Sequence, residues 1–240
     1  ISVPAVQGAP VVGDMNVLLV GSDSRKDLSA AEQERLHTGS SGGWSSDAVM
    51  LLHIPAVGTP TLVSIPRDSF IPIVGYDRLK LKAAYAIGGP QLLTATVEQD
   101  TGIDVTDYVE VGIGGVAGAT DALGGVVLCP ERDFEDADSG LSVRAGCQRM
   151  GSATAVAYVR MRKADPRDDL GRVERQQEFL RAAIRQAANP TLWAAPWRAY
   201  PAARQIGSVL TVSEGTSPVA LARITAAMAM LAGGVGTATT

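Results

Sequence analysis

Cysteine and histidine are nearly absent: Cys129, Cys147, His37 and His53 are the only ones in 240 residues. With so few soft ligands, a structural zinc site is not expected. Lysine is scarce too, at Lys26, Lys80, Lys82 and Lys163 among 21 basic residues. Any positive site must therefore be built mostly of guanidinium forks, which suit phosphate oxygens. Aromatics are 5% and charged residues 19% of the chain, against 46% hydrophobic, with a formal net charge of −4. That balance describes a globular protein, and it argues against a basic surface for nucleic acid. Long apolar runs are missing as well. Ile224 to Thr240 is diluted by glycine and threonine and falls short of the roughly 18 to 20 apolar residues that span a bilayer. The chain opens at Ile1 without a methionine, as expected of a trimmed or processed product from which a targeting or anchoring segment has been removed.

Three short runs rich in valine, leucine and isoleucine are present: Asn16 to Gly21, Ala48 to Ile54 and Thr61 to Ile65. They read as buried strands. Between the first two, Ser22 to Asp47 is polar and rich in glycine and serine and reads as one long loop, a kind of segment that often carries function. Leu79 to Ile87 and Gln91 to Gln99 have helical spacing, separated by Gly88-Gly89-Pro90, and predict two short helices. Tyr108 to Ile113 alternates as a strand, Gly115 to Leu123 reads as a small-residue helix, and Val126 to Cys129 is extended. Leu170 to Ala188 carries the strongest helical pattern, with Asp168 and Asp169 as candidate N-caps and Asn189-Pro190 as the stop. A last helix is expected over Pro218 to Leu231. Alternating strands and helices without repeat or linker define an α/β protein. Cys129 and Cys147 flank a short polar segment and read either as a surface disulfide, which stabilises by about 3 kcal/mol, or as two independent thiols.

The chemistry-bearing candidates lie at strand ends, where ligands of open α/β sheets bind. Asp23 follows the first strand, Asp47 introduces the second, and Arg67 and Asp68 follow the third. A second group comprises Arg160, Arg162, Arg167, Asp169, Arg172, Arg175 and Gln176. Arg172, Arg175 and Gln176 share a helical face with Phe179, and an arginine in a first turn opposes the macrodipole unless an anion neutralises it. The choice is between a phosphate cradle and a solvated face laced by Asp165, Asp168, Asp169 and Glu174.

The motifs MNVLLVGSDSR, SDAVMLLHI, LVSIPRDSFIPI, KLKAAYAIGG and AVAYVRMRKADPRDDLGRVERQQEFL, in that order, resemble the LytR-CpsA-Psr family. The resemblance runs from about Met15 to Ile184. It implies a three-layer α/β/α fold with a central mixed sheet and a hydrophobic lipid groove, formed by residues 15–240 as one catalytic domain behind an N-terminal extension over residues 1–14. The implied activity is a phosphotransferase that ligates a cell-wall glycopolymer from a polyprenyl-pyrophosphate carrier onto peptidoglycan. The protein would be held at the cell membrane by a single-pass anchor, with this domain on the extracytoplasmic side.

The resemblance assigns Arg67, Lys80, Arg160, Arg162, Arg172 and Gln176 to the phosphates, Asp23 and Asp47 to a magnesium ion, and Asp169 to orienting the arginines. Cations at the departing phosphate are what such a transfer requires, and magnesium takes carboxylate and phosphate oxygens. Asp23 and Asp68 are alternative bases for the acceptor hydroxyl. Ala95, Val97, Val116, Ala119, Leu123, Phe179, Leu180, Ala183 and Ile184 are candidates for the groove lining, each with ordinary core as its plainer role. Two departures stand out: a long Asp23–Asp47 loop, and Lys82 where asparagine is usual. Cys129 and Cys147 resemble a pair in actinobacterial members, which favours the disulfide. The scarcity of lysine with abundant alanine and arginine fits such an origin and arabinogalactan as the glycan. Hydrolysis of polyprenyl or small pyrophosphates, and non-catalytic polyprenyl-phosphate binding by a regulatory module, are the alternatives.

Overall fold

A computed structural model describes residues 13–23, 28–38, 46–137, 139–161, 164–165, 167–187, 210–234 and 237–239. The Gly39–Gly43 run, Arg162, Lys163, Asn189-Pro190, the aromatic tail after Trp193, and the side chains of Asp47 and Asp169 lie outside that description. The chain forms two compact units, one comprising residues 1–24, 42–111 and 210–240, the other residues 25–41 and 112–209.

The first unit is built on a mixed sheet of six strands. Its members are β1 (Met15–Ser22), β2 (Ser46–Ile54), β3 (Thr61–Ile65), β6 (Asp107–Val111), β11 (Leu210–Val212) and β12 (Thr237–Thr239), in the order β11-β6-β1-β2-β3-β12. β1 pairs antiparallel with β2 and parallel with β6, and β2 pairs antiparallel with β3. The three apolar runs thus form adjacent central strands. β-Branched and leucine side chains bury both faces, since Leu18, Val20, Val49 and Leu51 share one core while the alternating Val17, Met50 and Leu52 are also buried. A small hairpin of β4 (Phe70–Pro72) and β5 (Arg78–Lys80) leads into α2 (Leu81–Thr101). Leu81, Ala84, Tyr85, Leu93 and Val97 of this helix close the first core. Pro218 and the Ser217 hydroxyl, which accepts from the Ala220 N–H, start α6 (Pro218–Ala232), and it packs against β2.

One expectation is corrected here. Leu79 and Lys80 are strand, so the first helical stretch starts at Leu81. The Gly-Gly-Pro break falls where expected, as a kink between two helical stretches of α2: Gly89 takes φ 65°, ψ −155°, a conformation essentially reserved for glycine, and Pro90 starts the second stretch, where its missing N–H costs little.

The second unit has its own core. Strand β7 (Val126–Leu128) pairs with β10 (Gln148–Met150), β8 (Phe134–Asp136) pairs with β9 (Leu141–Val143), and α3 (Ile113–Ala122), α4 (Ser152–Arg160) and α5 (Asp168–Ala187) pack beside them. Gly114, Gly115, Ala117 and Gly118 are buried, and these small residues let α3 lie against α4. Cys129 and Cys147 form a disulfide that closes the β7–β10 segment, in agreement with the resemblance. The long Ser22–Asp47 segment is not loop throughout. It contains α1 (Ala30–Arg35), started by a capping box in which Ser29 and Glu32 bond each other's backbone N–H, with Leu28 and Leu36 packed on Ile113, Ala117 and Val156. Helix α5 begins at Asp168, so Asp168 and Asp169 are its first two residues and not its caps. Among the described residues no helix is long and apolar enough to cross a membrane.

Candidate functional site

Register alone brings the first group of candidates to one end of the sheet. Gly21 pairs with Ala48 and Ser22 with Ser46, leaving Asp47 as the extra residue of a bulge directly beside the exit of β1 into Asp23. Val49 pairs with Ile65, so Pro66-Arg67-Asp68 leave β3 at that same end. Two backbone bonds then pin this turn to the start of α2: Leu81 N–H donates to Ser69 O and Lys82 N–H to Arg67 O, both at 2.9 Å. Lys80 and Lys82 are carried onto Asp68 as a result.

Asp68 is the hub of this cluster. Its Oδ1 receives Lys82 Nζ at 2.8 Å and Lys80 Nζ at 3.0 Å, while Oδ2 lies 3.6 Å from Arg67 Nε. The ammonium of Lys82, then that of Lys80, holds the carboxyl down at about 2. One anion thus gathers three cations, leaving the turn with surplus positive charge. The lysine that departs from the family pattern, Lys82, has a defined place in it as the closest cation to Asp68.

Beneath that end, in the same unit, lies a buried carboxylate. Glu110 accepts from Tyr85 OH through Oε1 and from Tyr108 OH through Oε2, both at 2.7 Å. Burial, followed by the Glu110 carboxylate, pushes the Tyr85 phenol far up, with a hydrogen bond from Ser22 opposing the shift and the charge of Asp23 adding to it. Tyr108 is pushed up in the same way, by burial first.

The second group sits on α4, α5 and the turn between them. Arg172 is 1% exposed and Arg175 3% exposed, so this helical face is not the solvated one. Arg175 is fully engaged within the protein: Nη1 meets Asp165 Oδ2 in a short ion pair, Nε donates to Tyr158 O at 3.1 Å and Nη2 to Met161 O at 2.6 Å. Asp165, which one of the two readings set on a solvated face, is buried. It also takes Arg132 at 2.9 Å and the Arg167 N–H at 3.0 Å, and these hydrogen bonds and charges hold its pKa low against the desolvation that raises it. Arg132 and Arg175 both lie over the Phe134 ring, at 5.0 and 5.8 Å.

Because α5 starts at Asp168, Arg172 is two residues further into the helix than the sequence pattern suggests, and the macrodipole argument for an anion there weakens. Arg160 donates to His37 O at 3.4 Å. Gln176 Oε1 is shielded from solvent and accepts no hydrogen bond among the described residues. Of the groove candidates, Val97 belongs to the first core, and Leu123, Phe179 and Ala183 to the second, which is the plainer role.

Sequence reasoning missed Glu110 and the depth of Asp165. A signal for Glu110 was available: in DYVEV, Tyr108 and Glu110 are two apart and so share one face of a strand, where an acid beneath a phenol is unusual. No comparable signal marks Asp165, whose burial depends on Gly171 and Arg175 meeting it across a turn.

A mixed α/β chain with a basic turn at the end of its sheet and a second arginine cluster at the start of a helix has the makings of an anion-handling protein. It belongs to the LytR_cpsA_psr family, whose model matches residues 3–213. The probable cell wall biosynthesis protein LcpB of Corynebacterium glutamicum is 45% identical over 94% of the chain and 54% of that protein. The polyisoprenyl-teichoic acid–peptidoglycan teichoic acid transferase TagU of Bacillus mycoides is 33% identical over 73% of the chain and 53% of that protein. The chain thus spans about half the length of these curated relatives. In fold it resembles a LytR-Csp2A-Psr enzyme from Actinomyces oris, with a TM-score of 0.73 at 22% identity over 100% of the chain and 85% of that structure.

Proposed function

We propose that this chain is the catalytic domain of a cell-wall glycopolymer phosphotransferase that moves a glycan, arabinogalactan in our reading, from a polyprenyl-pyrophosphate carrier onto peptidoglycan. The observation that carries the reading is the Arg67, Lys80 and Lys82 cluster on Asp68 at the sheet end that Asp23 and Asp47 share, in a chain of this family. In the reaction the acceptor hydroxyl oxygen attacks the phosphorus joined to the sugar, the bridging P–O bond breaks, and polyprenyl phosphate leaves with the charge. Arg67 and Lys80, with Arg160, Arg162, Arg172 and Gln176, bind the phosphate oxygens and stabilise that charge. Asp169 orients the arginines.

Asp23 and Asp47 fit a magnesium ion. They are hard oxygen donors, and the register sets Asp47 of β2 beside the exit of β1 into Asp23; two carboxylates leave the remaining positions for phosphate oxygens and water. Such an ion would be shared with the phosphate oxygens of the substrate. When bound it would neutralise pyrophosphate charge. Of the two alternative bases, Asp68 is a poor proton acceptor, because Lys82 and Lys80 hold its carboxyl at about 2. The Cys129–Cys147 disulfide suits an oxidising space outside the membrane, with a single-pass anchor holding the protein there.

The test is transfer by the protein from a polyprenyl-pyrophosphate-linked glycan, with and without peptidoglycan and magnesium. Product that requires both supports the reading. Phosphate release at the same rate without peptidoglycan would make the protein a pyrophosphatase, and tight binding without turnover would make it a lipid-phosphate binder.

A further inference from the structure

The α2-covered face of the sheet changes character toward the end that carries Asp23. Leu18 pairs with Leu51 and Tyr108, Val20 with Val49 and Glu110, and Ser22 with Ser46. On β1 and β2 two aliphatic pairs are therefore succeeded by a pair of hydroxyls, and β6 places a carboxylate beside the last aliphatic pair. Glu110 is only 8% exposed, beside Tyr108 at 0% and Tyr85 at 4%. Burying a carboxylate costs several kcal/mol even after relaxation, and its two hydrogen-bond donors are neutral phenols. Valine or leucine in that place would continue the packing of the preceding layers without this cost.

What Glu110 supplies is direction. An ionised carboxylate only accepts, so both phenol O–H groups must point inward to it at 2.7 Å. The oxygen lone pairs of Tyr85 are then turned toward Ser22, whose hydroxyl bonds it, next to the charge of Asp23. Ser22 is itself buried and faces Ser46, whose Oγ is buried with no hydrogen-bond partner among the described residues. An ordered chain thus runs from Ser22 through Tyr85 to Glu110, starting at the residue before Asp23.

We propose that Glu110 is a positioning residue for the transfer reaction: by orienting the Tyr85 hydroxyl it fixes Ser22, and through Ser22 the point at which the chain turns into Asp23. This rests on the reading of Asp23 as a site residue given above. Glu110→Gln keeps the shape but presents an NH2 group to one phenol; where that phenol is Tyr85, its O–H turns outward and the bond with Ser22 reverses, Tyr85 donating and Ser22 accepting.

The test uses the protein with magnesium, a polyprenyl-pyrophosphate-linked glycan and peptidoglycan, with glycan transfer as the readout. Glu110→Gln is expected to lower kcat on the order of 10- to 100-fold with KM within about twofold of the parent. Combined with Tyr85→Phe, which removes the hydroxyl being oriented, it should cost no more than Tyr85→Phe alone. Hydrogen exchange of the lipid-free protein supplies a second measurement: the segment Gly21–Asp23 should exchange faster in Glu110→Gln, with β2, β3 and the second half of α2 unchanged.

Unchanged kcat, fully additive losses, or exchange that is either unaltered or faster throughout the sheet would each overturn the proposal, the last by showing a merely structural role. If the parent protein transfers no glycan, the functional reading fails instead. The exchange pattern then decides the role of Glu110 alone.

Discussion

Asp165 lies directly against the backbone of Gly171, so close that a Cβ on that residue would overlap its carboxylate. The absence of a side chain is what lets the start of α5 settle onto a buried anion and lets Arg175 reach the same carboxylate from the next turn. Gly171→Ala should destabilise the protein by about 3 kcal/mol, the upper range of overpacking. Asp165→Asn, which leaves Arg175 buried without its counter-charge, should cost about as much or more. Denaturant unfolding of both variants checks this, and losses near zero would show that the cluster relaxes easily.

The disulfide is expected to stabilise the second unit through the chain entropy of the 18-residue separation it closes. Replacing Cys129 and Cys147 together by serine should lower stability by about 3 kcal/mol. Cys129 N–H also donates to Glu178 Oε1 at 2.7 Å, and Glu178 Oε2 accepts from Tyr158 OH at 2.9 Å. The loss should therefore appear as faster hydrogen exchange in α4 and α5 as well as in the loop.

Asp68 predicts a pH dependence with a definite sign. Its carboxyl is held at about 2, below the ordinary 3.8, by Lys82 and Lys80. A depressed folded-state pKa contributes stability that is present above the unfolded value and lost on acidification. The advantage of the parent over Asp68→Asn should hold near pH 6 and disappear as pH falls from about 4 through 2. It should also be small and sensitive to salt, since the Asp68 side chain is 37% exposed and water screens such pairs. An advantage that grows on acidification would contradict the assignment.

On the functional reading, Asp23→Ala and Arg160→Ala should fail differently. Loss of Asp23 should remove magnesium-dependent turnover, by on the order of 100-fold or more in kcat, while polyprenyl phosphate still binds. Loss of Arg160 should chiefly weaken head-group binding. Paired equilibrium binding and single-turnover rates separate the two, and the reverse pattern would exchange their roles.

Strands β1, β2 and β3, helix α5 and helix α6 were legible in the sequence because each carries its own periodicity and its own stops: apolar runs for the strands, Pro218 behind Ser217 for α6. Position at the sheet end was legible too, for Asp23, Asp47, Arg67 and Asp68, since a residue that follows or precedes a strand must lie at its end. The disulfide was legible by resemblance.

Partner choice is what only the tertiary structure decided. Asp165 read as a surface charge and is a buried hub, Lys82 read as an unexplained departure and is the nearest cation to Asp68, and Glu110 read as nothing and holds two phenols. The physical reason is common to all three. Local sequence sets backbone preference and which face is apolar, whereas the energy of a charge depends on burial and on groups tens of residues away, and those are fixed only once the strands have found their register and α2 and α5 have docked within their own units.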